Sequence, residues 1–353
     1  MGNPGISVVI PVCNGEDYLA ECLDSVLMQT EKDIEIICVN DEPTDGSRSI
    51  LEDYSKHDAR IRIIDKYNGG QASARNAGLD AAMGDYVYYL DSDDIVRTDA
   101  LKLCKETADS EQLDVLCFDG LTVYENEELR KVKPRFDGYL THGGRYQGIM
   151  AGPELFNKMV QNNMFEENVC VQFSRRTFLL ENDLRFVEGI VFENAVYTMR
   201  LLLLSKRVMH IPEGLYTRRV RADSTTTEGI SARRIYGSFI CLKKMMDFLQ
   251  SYDFTQDVFE SAKQTLISRQ AILADEYNKT TEEQRQALKE MLSIHEELEF
   301  SMLAESIAAE RTINNDAIKD LAVKESALQN IEKSRSYRYA RRLSMILRTI
   351  RRS

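Results

Sequence analysis

Short apolar runs separated by stretches of helical period limit most strongly what this chain can fold into. The runs lie at residues 6–12, 34–39, 61–64, 86–90 and 113–118. After the first run, one helix face is apolar at Leu19, Cys22, Leu23, Val26 and Leu27. Strands that are apolar throughout are buried on both faces, which is typical of a parallel sheet between helices. We therefore predict an α/β fold with a doubly wound, mostly parallel sheet.

Acidic and amide side chains follow the first four apolar runs. The four segments read Cys13-Asn14-Gly15, Asn40-Asp41-Glu42, Asn68-Gly69-Gly70 and Asp91-Ser92-Asp93-Asp94. In an open parallel sheet the carboxyl ends of the strands share one edge, and ligands bind there. We therefore expect the four segments to meet in one cleft.

The Asp91-Ser92-Asp93 triplet has the pattern of a cation site. Side chains two residues apart on an extended segment point to the same side, so both carboxylates can face the cleft. Carboxylate oxygens suit a hard divalent cation whose remaining ligands are substrate phosphates. The alternative is a solvated turn in which Asp94 or Asp99 caps the next helix. Four converging strand ends favour the cation site.

The order of these motifs resembles the opening of family 2 glycosyltransferases. The resemblance rests on SVVIPVCN at residues 7–14, VND at 39–41 with TDGS at 44–47, NGG at 68–70 with ARNAG at 74–78, and YLDSDD at 89–94. It implies a GT-A fold, which is a Rossmann-like domain with an acidic metal-binding triplet, of the kind that builds bacterial polysaccharides and glycoconjugates.

The resemblance also implies a nucleotide-sugar site. Its residues in the first hundred positions are Pro11, Asn14, Asp41, Arg75, Asp91 and Ser92. Asp41 is expected to hydrogen-bond the nucleotide base, Arg75 to lie near the base or diphosphate, and Asp91 to contact ribose or sugar. Asp93 is expected to ligate Mn²⁺ or Mg²⁺. Without the resemblance, Asp41 is a turn acid and Arg75 a surface helix residue.

Residues 185–194 resemble the segment in which this family carries Glu-Asp, the Asp serving as the base. Here Asn194 occupies the position of that Asp, and an amide cannot accept the proton of the acceptor hydroxyl. Glu193 or Glu188 takes the role, the acceptor is activated otherwise, or the protein is catalytically weak. We expect Glu193 to be the base; the alternative is a carboxylate that only orders the cleft.

Residues 216–225 resemble the family's Arg-x-Arg-x-x-Ser stretch, which closes over the donor. A guanidinium matches diphosphate oxygens in a planar fork, so Arg219 and Arg221 are both candidates, with Ser224 as a further donor. Taken alone, residues 218–221 are a basic surface run.

These features predict an inverting, metal-dependent hexosyltransferase. It would move a sugar from a nucleotide diphosphate-sugar, by family frequency a UDP-sugar, to a hydroxyl of a glycan, a lipid-linked acceptor or a cell-envelope polymer. The alternative is a non-catalytic nucleotide-sugar-binding scaffold, which Asn194 and the long helical C-terminal region suggest. Nucleotidyl transfer usually needs a Gly-rich loop with a basic residue near the first strand, and the sequence PVCNG offers none.

Composition divides the chain into three parts. Residues 1–230 form the predicted catalytic domain. Residues 231–332 have helical composition and a weak heptad pattern, which suggests a short coiled coil and a homo-oligomer contact. Residues 333–353 contain eight basic and no acidic residues, with apolar side chains on one helix face. Such a tail is typical of a peripheral membrane contact, or of a helix docked on acidic protein.

The net charge of −12 argues against nucleic acid as a partner, because phosphate neutralisation needs clustered Lys and Arg. The seven cysteines lack metal-binding spacing, and no apolar run approaches 18 residues. We expect reduced thiols and a cytoplasmic location, with membrane contact only through residues 333–353.

Overall fold

The computed structural model describes residues 3–303, apart from 43, 68, 143–145, 223–228, 298 and 302. Within these residues the first elements are β1 (Ile6–Val12), α1 (Leu19–Leu27), β2 (Ile34–Asp41), α2 (Ser47–His57), β3 (Ile61–Lys66), α3 (Gly70–Ala81), β4 (Tyr86–Tyr89), β5 (Ile95–Val96), α4 (Ala100–Ser110) and β6 (Val115–Tyr124). The later elements are α5 (Glu127–Val132), β7 (Ile149–Met150), α6 (Gly152–Gln161), β8 (Gln172–Arg175), α7 (Arg176–Glu181), α8 (Glu193–Leu204), β9 (Val208–Val220), α9 (Ala232–Gln250), α10 (Gln256–Asn278) and α11 (Glu282–Met291).

The strands form one mixed sheet in the order β3-β2-β1-β4-β8-β6-β9-β5, with β7 also paired to β9. Strands β1 to β4 are parallel, as are β6 and β9, whereas β8 runs antiparallel to both β4 and β6. The predicted α/β class with a mostly parallel sheet is confirmed. Strand β6 extends six residues beyond the fifth apolar run, which ends at residue 118. This second part of the strand alternates between exposed and partly buried residues, so an all-apolar pattern does not detect it.

The first two strands lie inside the sheet, between β3 and β4. Every residue of β1 and β2 is buried, because helices cover both faces of this part of the sheet. Helix α1 buries Leu19, Cys22, Leu23 and Val26, four of the five residues predicted for its apolar face. The fifth, Leu27, is only partly buried, since it lies at the edge of that face.

The compact unit that contains the sheet spans Met1–Met291 and therefore includes helices α9 to α11. Helix α9 packs against α8, and α10 packs against α6 and α9. A second unit spans Leu292–Ser353, and most of it lies outside the described residues, including the predicted coiled-coil positions and the tail at 333–353. None of the described helices combines the length and hydropathy of a membrane span. All seven cysteines are free thiols, and all but Cys13 are buried.

Helix α3 approaches β1 so closely that only glycine fits at the contact. A Cβ atom built on Gly78 would lie 2.2 Å from Cγ1 of Val9, far inside van der Waals contact. This close packing sets the position of α3, which carries Arg75 into the protein interior.

We expect Gly78→Ala to lower the free energy of unfolding by about 1–3 kcal/mol, because the added methyl group overpacks the contact with Val9. Urea denaturation measures the loss. Gly229→Ala is the matched control, since nothing lies within 4 Å of the added atom, and it should change stability by less than about 0.5 kcal/mol. Equal effects of the two substitutions would contradict the packing argument.

Candidate functional site

Hydrogen bonds hold the four strand ends side by side. Oδ1 of Asn14, after β1, accepts from the backbone N–H of Thr44, after β2, at 2.8 Å. Oδ2 of Asp41, at the end of β2, accepts from the backbone N–H of Gly70, after β3, at 2.7 Å. Gln71 Nε2, at the start of α3, donates to Oδ1 of Asp91, after β4, at 2.9 Å. The ends of the parallel strands therefore form one continuous edge.

Asp41 is almost fully buried and is saturated with donors. Its carboxylate accepts from the backbone N–H groups of Gly69 and Gly70 and from Nζ of Lys66 at 2.8 Å. These bonds fix the loop that begins α3. Pro11 lies buried inside β1, paired with Val39 of β2, so its position is likewise set by the sheet.

Arg75 is the most deeply buried charged residue of the site, with no exposed surface. Its Nη2 donates to Oδ1 of Asp91 at 2.7 Å, and its Nη1 donates to Oε1 of Glu193 at 2.9 Å and to Oδ1 of Asn194 at 2.8 Å. The guanidinium carbon also lies 5.1 Å from the ring centre of Phe186. Arg75 therefore joins the end of β4 to the first turn of α8, which is the position where the resemblance expects a base.

Glu193 is buried, and its burial raises its pKa above the ordinary value of a glutamate, although the charge of Arg75 acts in the opposite direction. Oε1 of Glu193 accepts a hydrogen bond from Arg75, whereas Oε2 makes no hydrogen bond to another described residue. Glu188, the other acid considered, is exposed and accepts from Nδ2 of Asn76 at 2.9 Å.

Asp91 and Asp93 each keep one carboxylate oxygen without a hydrogen bond to any described residue. Asp91 uses Oδ1 for Arg75 and Gln71, which leaves Oδ2. Asp93 uses Oδ2 for Nε of Arg221 at 2.8 Å, which leaves Oδ1. Carboxylate oxygens are the ligand type that a divalent cation takes, and oxygens of a substrate can complete its coordination.

The third acid of this turn, Asp94, has a structural role. It is buried, and its Oδ1 accepts from the backbone N–H of Arg219 at 2.7 Å while Tyr216 donates to Oδ2. Burial, with Asp93 and Asp91 nearby, raises the pKa of Asp94 well above its ordinary value. Asp94 thus attaches the β4 turn to β9 and caps no helix, and Asp99 makes no side-chain capping bond either.

The arginines at the end of β9 and just after it lie on two faces, because side chains alternate along an extended segment. Arg219 and Arg221 lie on one face, with guanidinium carbons 4.8 and 5.6 Å from the ring centre of Tyr18. Arg221 pairs with Asp93, whereas Arg219 donates to the backbone oxygen of Asp93 and pairs with Glu21. Arg218 points the other way and packs on Phe136 and Tyr139. Ser224 lies outside the described residues.

A cavity of about 490 Å³ opens beside these strand ends. Asp91, Glu193 and Asn194 line it, together with Gly69 and Gly70. The other residues predicted for the site, Pro11, Asn14, Asp41, Arg75, Ser92, Asp93, Arg219 and Arg221, surround the strand ends without lining this cavity. The volume is within the range of pockets that bind small molecules.

Sequence reasoning did not single out most of the cavity residues, among them Tyr139, Glu166, Arg218 and Arg234. Glu166 accepts through Oε1 from the backbone N–H groups of Glu167 and Asn168 at 2.9 and 3.0 Å. Burial, with the neighbouring charge of Glu167, raises the pKa of Glu166 to about 7. The adjacent acids Glu166 and Glu167 were the feature of the sequence that pointed to this position. Period-two alternation places Arg218 on the face opposite Arg219 and Arg221.

A second group of ligand-type side chains lies away from the cavity lining. Asp119, His142 and His210 are buried, and their ligand atoms lie within 4.8 Å of one another, so they could hold a metal ion. Oδ1 of Asp119 is 3.0 Å from Nδ1 of His142 and from Nε2 of His210. Burial would raise the pKa of Asp119, but the two histidines hold it well below its ordinary value. These bonds link β6 to β9.

Glu166→Gln should stabilise the protein more at about pH 8 than at about pH 5. The carboxyl pKa is about 7 in the folded state and about 4.3 in an unfolded chain, so the parent loses stability as the pH rises between these values. Urea denaturation at both pH values should show a difference of the order of 1–3 kcal/mol. Glu106→Gln, at an exposed position of α4, is the control, and a pH-independent effect of Glu166→Gln would contradict the assignment.

Known proteins similar to this chain match it in the region that contains these motifs. Residues 7–179 match the family described as Glycosyl transferase family 2. The chain is 34% identical over 236 residues to an uncharacterized glycosyltransferase, EpsJ, of Bacillus subtilis, covering 63% of each. It is 30% identical over 222 residues to glycosyltransferase GlyG of Streptococcus pneumoniae, covering 62% of this chain and 72% of GlyG. The chain therefore spans less than two thirds of EpsJ.

Two solved structures share the fold. Staphylococcus aureus TarS 1-349, in complex with UDP-GlcNAc, has a TM-score of 0.57 at 20% identity, covering 79% of this chain and 72% of that one. The mannosyltransferase PcManGT of Pyrobaculum calidifontis, in complex with GDP-Man and Mn²⁺, has a TM-score of 0.52 at 14% identity, covering 87% and 86%. The predicted GT-A fold is confirmed. The fold, the ordered motifs and the identity to GlyG together establish that the chain belongs to glycosyltransferase family 2.

Proposed function

We propose that the chain transfers a sugar from a UDP-sugar to a hydroxyl of a glycan or lipid-linked acceptor, with inversion at the anomeric carbon. One observation carries the proposal: Asp91 and Asp93 each present an available carboxylate oxygen beside an arginine-bearing strand. TarS, solved in complex with UDP-GlcNAc, supports a UDP-sugar donor, whereas PcManGT is in complex with GDP-Man. The chondroitin synthase of Pasteurella multocida, 29% identical over 286 residues, supports a glycan acceptor.

Departure of the nucleotide is the step that the site must assist, because negative charge develops on the diphosphate as the anomeric bond lengthens. A Mn²⁺ or Mg²⁺ ion held by Asp93 and Asp91 would supply positive charge to those oxygens. Arg221 and Arg219 lie next to Asp93, where their guanidinium groups can pair with the same diphosphate. Such charges are effective because they are in position before the reaction begins.

Glu193 is the proposed base. It lines the cavity, its Oε1 is anchored by Arg75, and its Oε2 is available to take the proton of the attacking hydroxyl. The pKa of Glu193 is raised by burial, which makes the carboxylate a better proton acceptor. Asn194 occupies the position of the family's usual Asp, and its Oδ1 accepts a hydrogen bond from Arg75. Its amide cannot take a proton from the acceptor.

Asp93→Ala should abolish metal-dependent release of UDP. The substitution removes a carboxylate ligand, so UDP release from a panel of UDP-hexoses with Mn²⁺ should fall by more than about 100-fold. Asp99→Ala, an exposed acid of the same region, is the control and should keep the parent rate. Full activity of Asp93→Ala at saturating Mn²⁺ would disprove the metal-site assignment.

Glu193→Gln should lower turnover by about 10²- to 10⁴-fold while leaving donor binding unchanged, because glutamine keeps the bond to Arg75 but cannot take a proton. UDP release and calorimetric binding of the UDP-sugar measure the two properties. Glu188→Gln tests the other acid considered for this role, and we expect it to keep the parent turnover because Glu188 is exposed and lies outside the cavity lining. A parent rate in Glu193→Gln would exclude this base. Donor binding without any turnover in the parent chain would favour the scaffold function.

The remaining partner assignments rest on the sequence, and residues 333–353 lie outside those described. We propose that residues 333–353 make a peripheral contact at the inner face of the membrane, where eight basic residues would meet anionic lipid. A homo-oligomer contact through the C-terminal helical region and a cytoplasmic location are proposed on the same sequence grounds.

A further inference from the structure

A second cavity, of about 690 Å³, lies next to the first. Five residues line both cavities and so form their common wall: Phe136, Tyr139, Glu167, Phe192 and Arg234. The far side of the second cavity is formed by α9 and α10. A ligand chain that reaches Asp91 and Glu193 through the first cavity can therefore extend into the second.

Helix α10 turns a polar face toward this cavity. Gln264, Thr265, Ser268, Ile272 and Glu276 line it, at the spacing of one helix face. Gln264, Ser268 and Ile272 are exposed, so this face of the helix borders a part of the cavity that solvent can enter. Its hydroxyl, amide and carboxylate groups are accessible to a polar ligand.

Several polar groups of the lining have no hydrogen-bond partner among the described residues, and three of them, Asn163, Gln264 and Ser268, are exposed. The side chains of Asn163, Ser238, Gln264 and Ser268 make no hydrogen bond to another described residue. Thr265, by contrast, donates to the backbone oxygen of Ser261 at 3.1 Å. An amide both donates and accepts, and so does a hydroxyl, so these four side chains can match the hydroxyl groups of a sugar in either direction.

Aromatic rings complete the lining. Phe165 and Phe192 face the cavity along with Phe136 and Tyr139 of the common wall. Phe192 is held with a φ of 69°, an uncommon conformation for a bulky residue, and the guanidinium carbon of Arg234 lies 4.8 Å from its ring centre. A sugar ring has apolar C–H faces and a rim of hydroxyls, which is the combination that aromatic rings and free polar groups accommodate.

The charges of the lining are internally balanced. Arg269 pairs with Glu167, and Arg234 pairs with Glu276 at 2.8 Å. The two arginines and two glutamates thus carry no net charge, and a phosphate or carboxylate on the ligand would have to compete with the existing pairs. The lining favours an uncharged ligand.

We propose that the second cavity binds the saccharide chain of the acceptor, and that this chain is an uncharged oligosaccharide. The proposal rests on the proposed function, since it assigns the substrate class of the same site. The free hydroxyl and amide groups of α9 and α10 bind the chain, and the common wall directs its terminal sugar toward Glu193.

Binding of the full chain, with UDP and Mn²⁺, to an array of defined glycans tests the proposal. The array carries neutral oligosaccharides of two or more sugars and anionic glycans that contain uronic acid, sulfate or polyol phosphate. We expect binding to neutral glycans, reduced at least about tenfold by Ser268→Phe, which fills the cavity, and by Gln264→Leu, which removes an amide of similar size.

Ile267→Phe is the matched control, because Ile267 is 55% exposed on α10 and lies outside the lining, so glycan binding should be unchanged. Release of UDP from the UDP-sugar into water, which needs no acceptor, should stay within about twofold of the parent in all three variants. Absence of UDP release in the parent chain would contradict the proposed function and would leave the glycan-binding test unaffected. No binding to neutral glycans, a preference for anionic ones, or parent affinity in both cavity variants would overturn the acceptor assignment.

Discussion

The site depends on one buried cation. Arg75 is fully enclosed by protein, and a charge in that position is tolerated only when opposite charges and hydrogen bonds compensate for lost hydration. Asp91 and Glu193 supply the charges, and Asn194 supplies a further acceptor. Because guanidinium is planar and rigid, these three partners are held in a fixed relation to one another. The turn after β4 and the start of α8 are thereby joined, although Asp91 and Glu193 lie 102 positions apart in the chain.

Arg75 binds one carboxylate oxygen of each acid and leaves the second oxygen of each without that bond. At Asp91, Arg75 occupies Oδ1, and Oδ2 makes no hydrogen bond to any described residue, which is also true of Oδ1 of Asp93. At Glu193, which lines the first cavity, Arg75 occupies Oε1, and Oε2 makes no hydrogen bond to another described residue. In the proposed mechanism, donor binding and proton removal are coupled through Arg75, which lines neither cavity. The proposed acceptor site on α10 would extend this arrangement.

Much of this architecture follows from local pattern. All-apolar runs predicted parallel strands, and the acidic or amide segments after them predicted a shared edge, because the carboxyl ends of parallel strands must lie together. The prediction for α1 was correct at four of five positions, since helical period is a local property. The role of Asp94 could not be predicted, because its partner Arg219 lies 125 positions further along the chain.

The sequence by itself determined the fold class, the family and the convergence of Asp41 and Asp91 at one sheet edge, because strand and helix signals act over a few residues. Only the tertiary structure decided which of these side chains remain available. Asp41 is saturated by the α3 loop, Glu166 reaches the cavity, and Arg218 faces away from Arg219. Hydrogen-bond saturation and burial depend on residues distant in the chain, which no local pattern encodes.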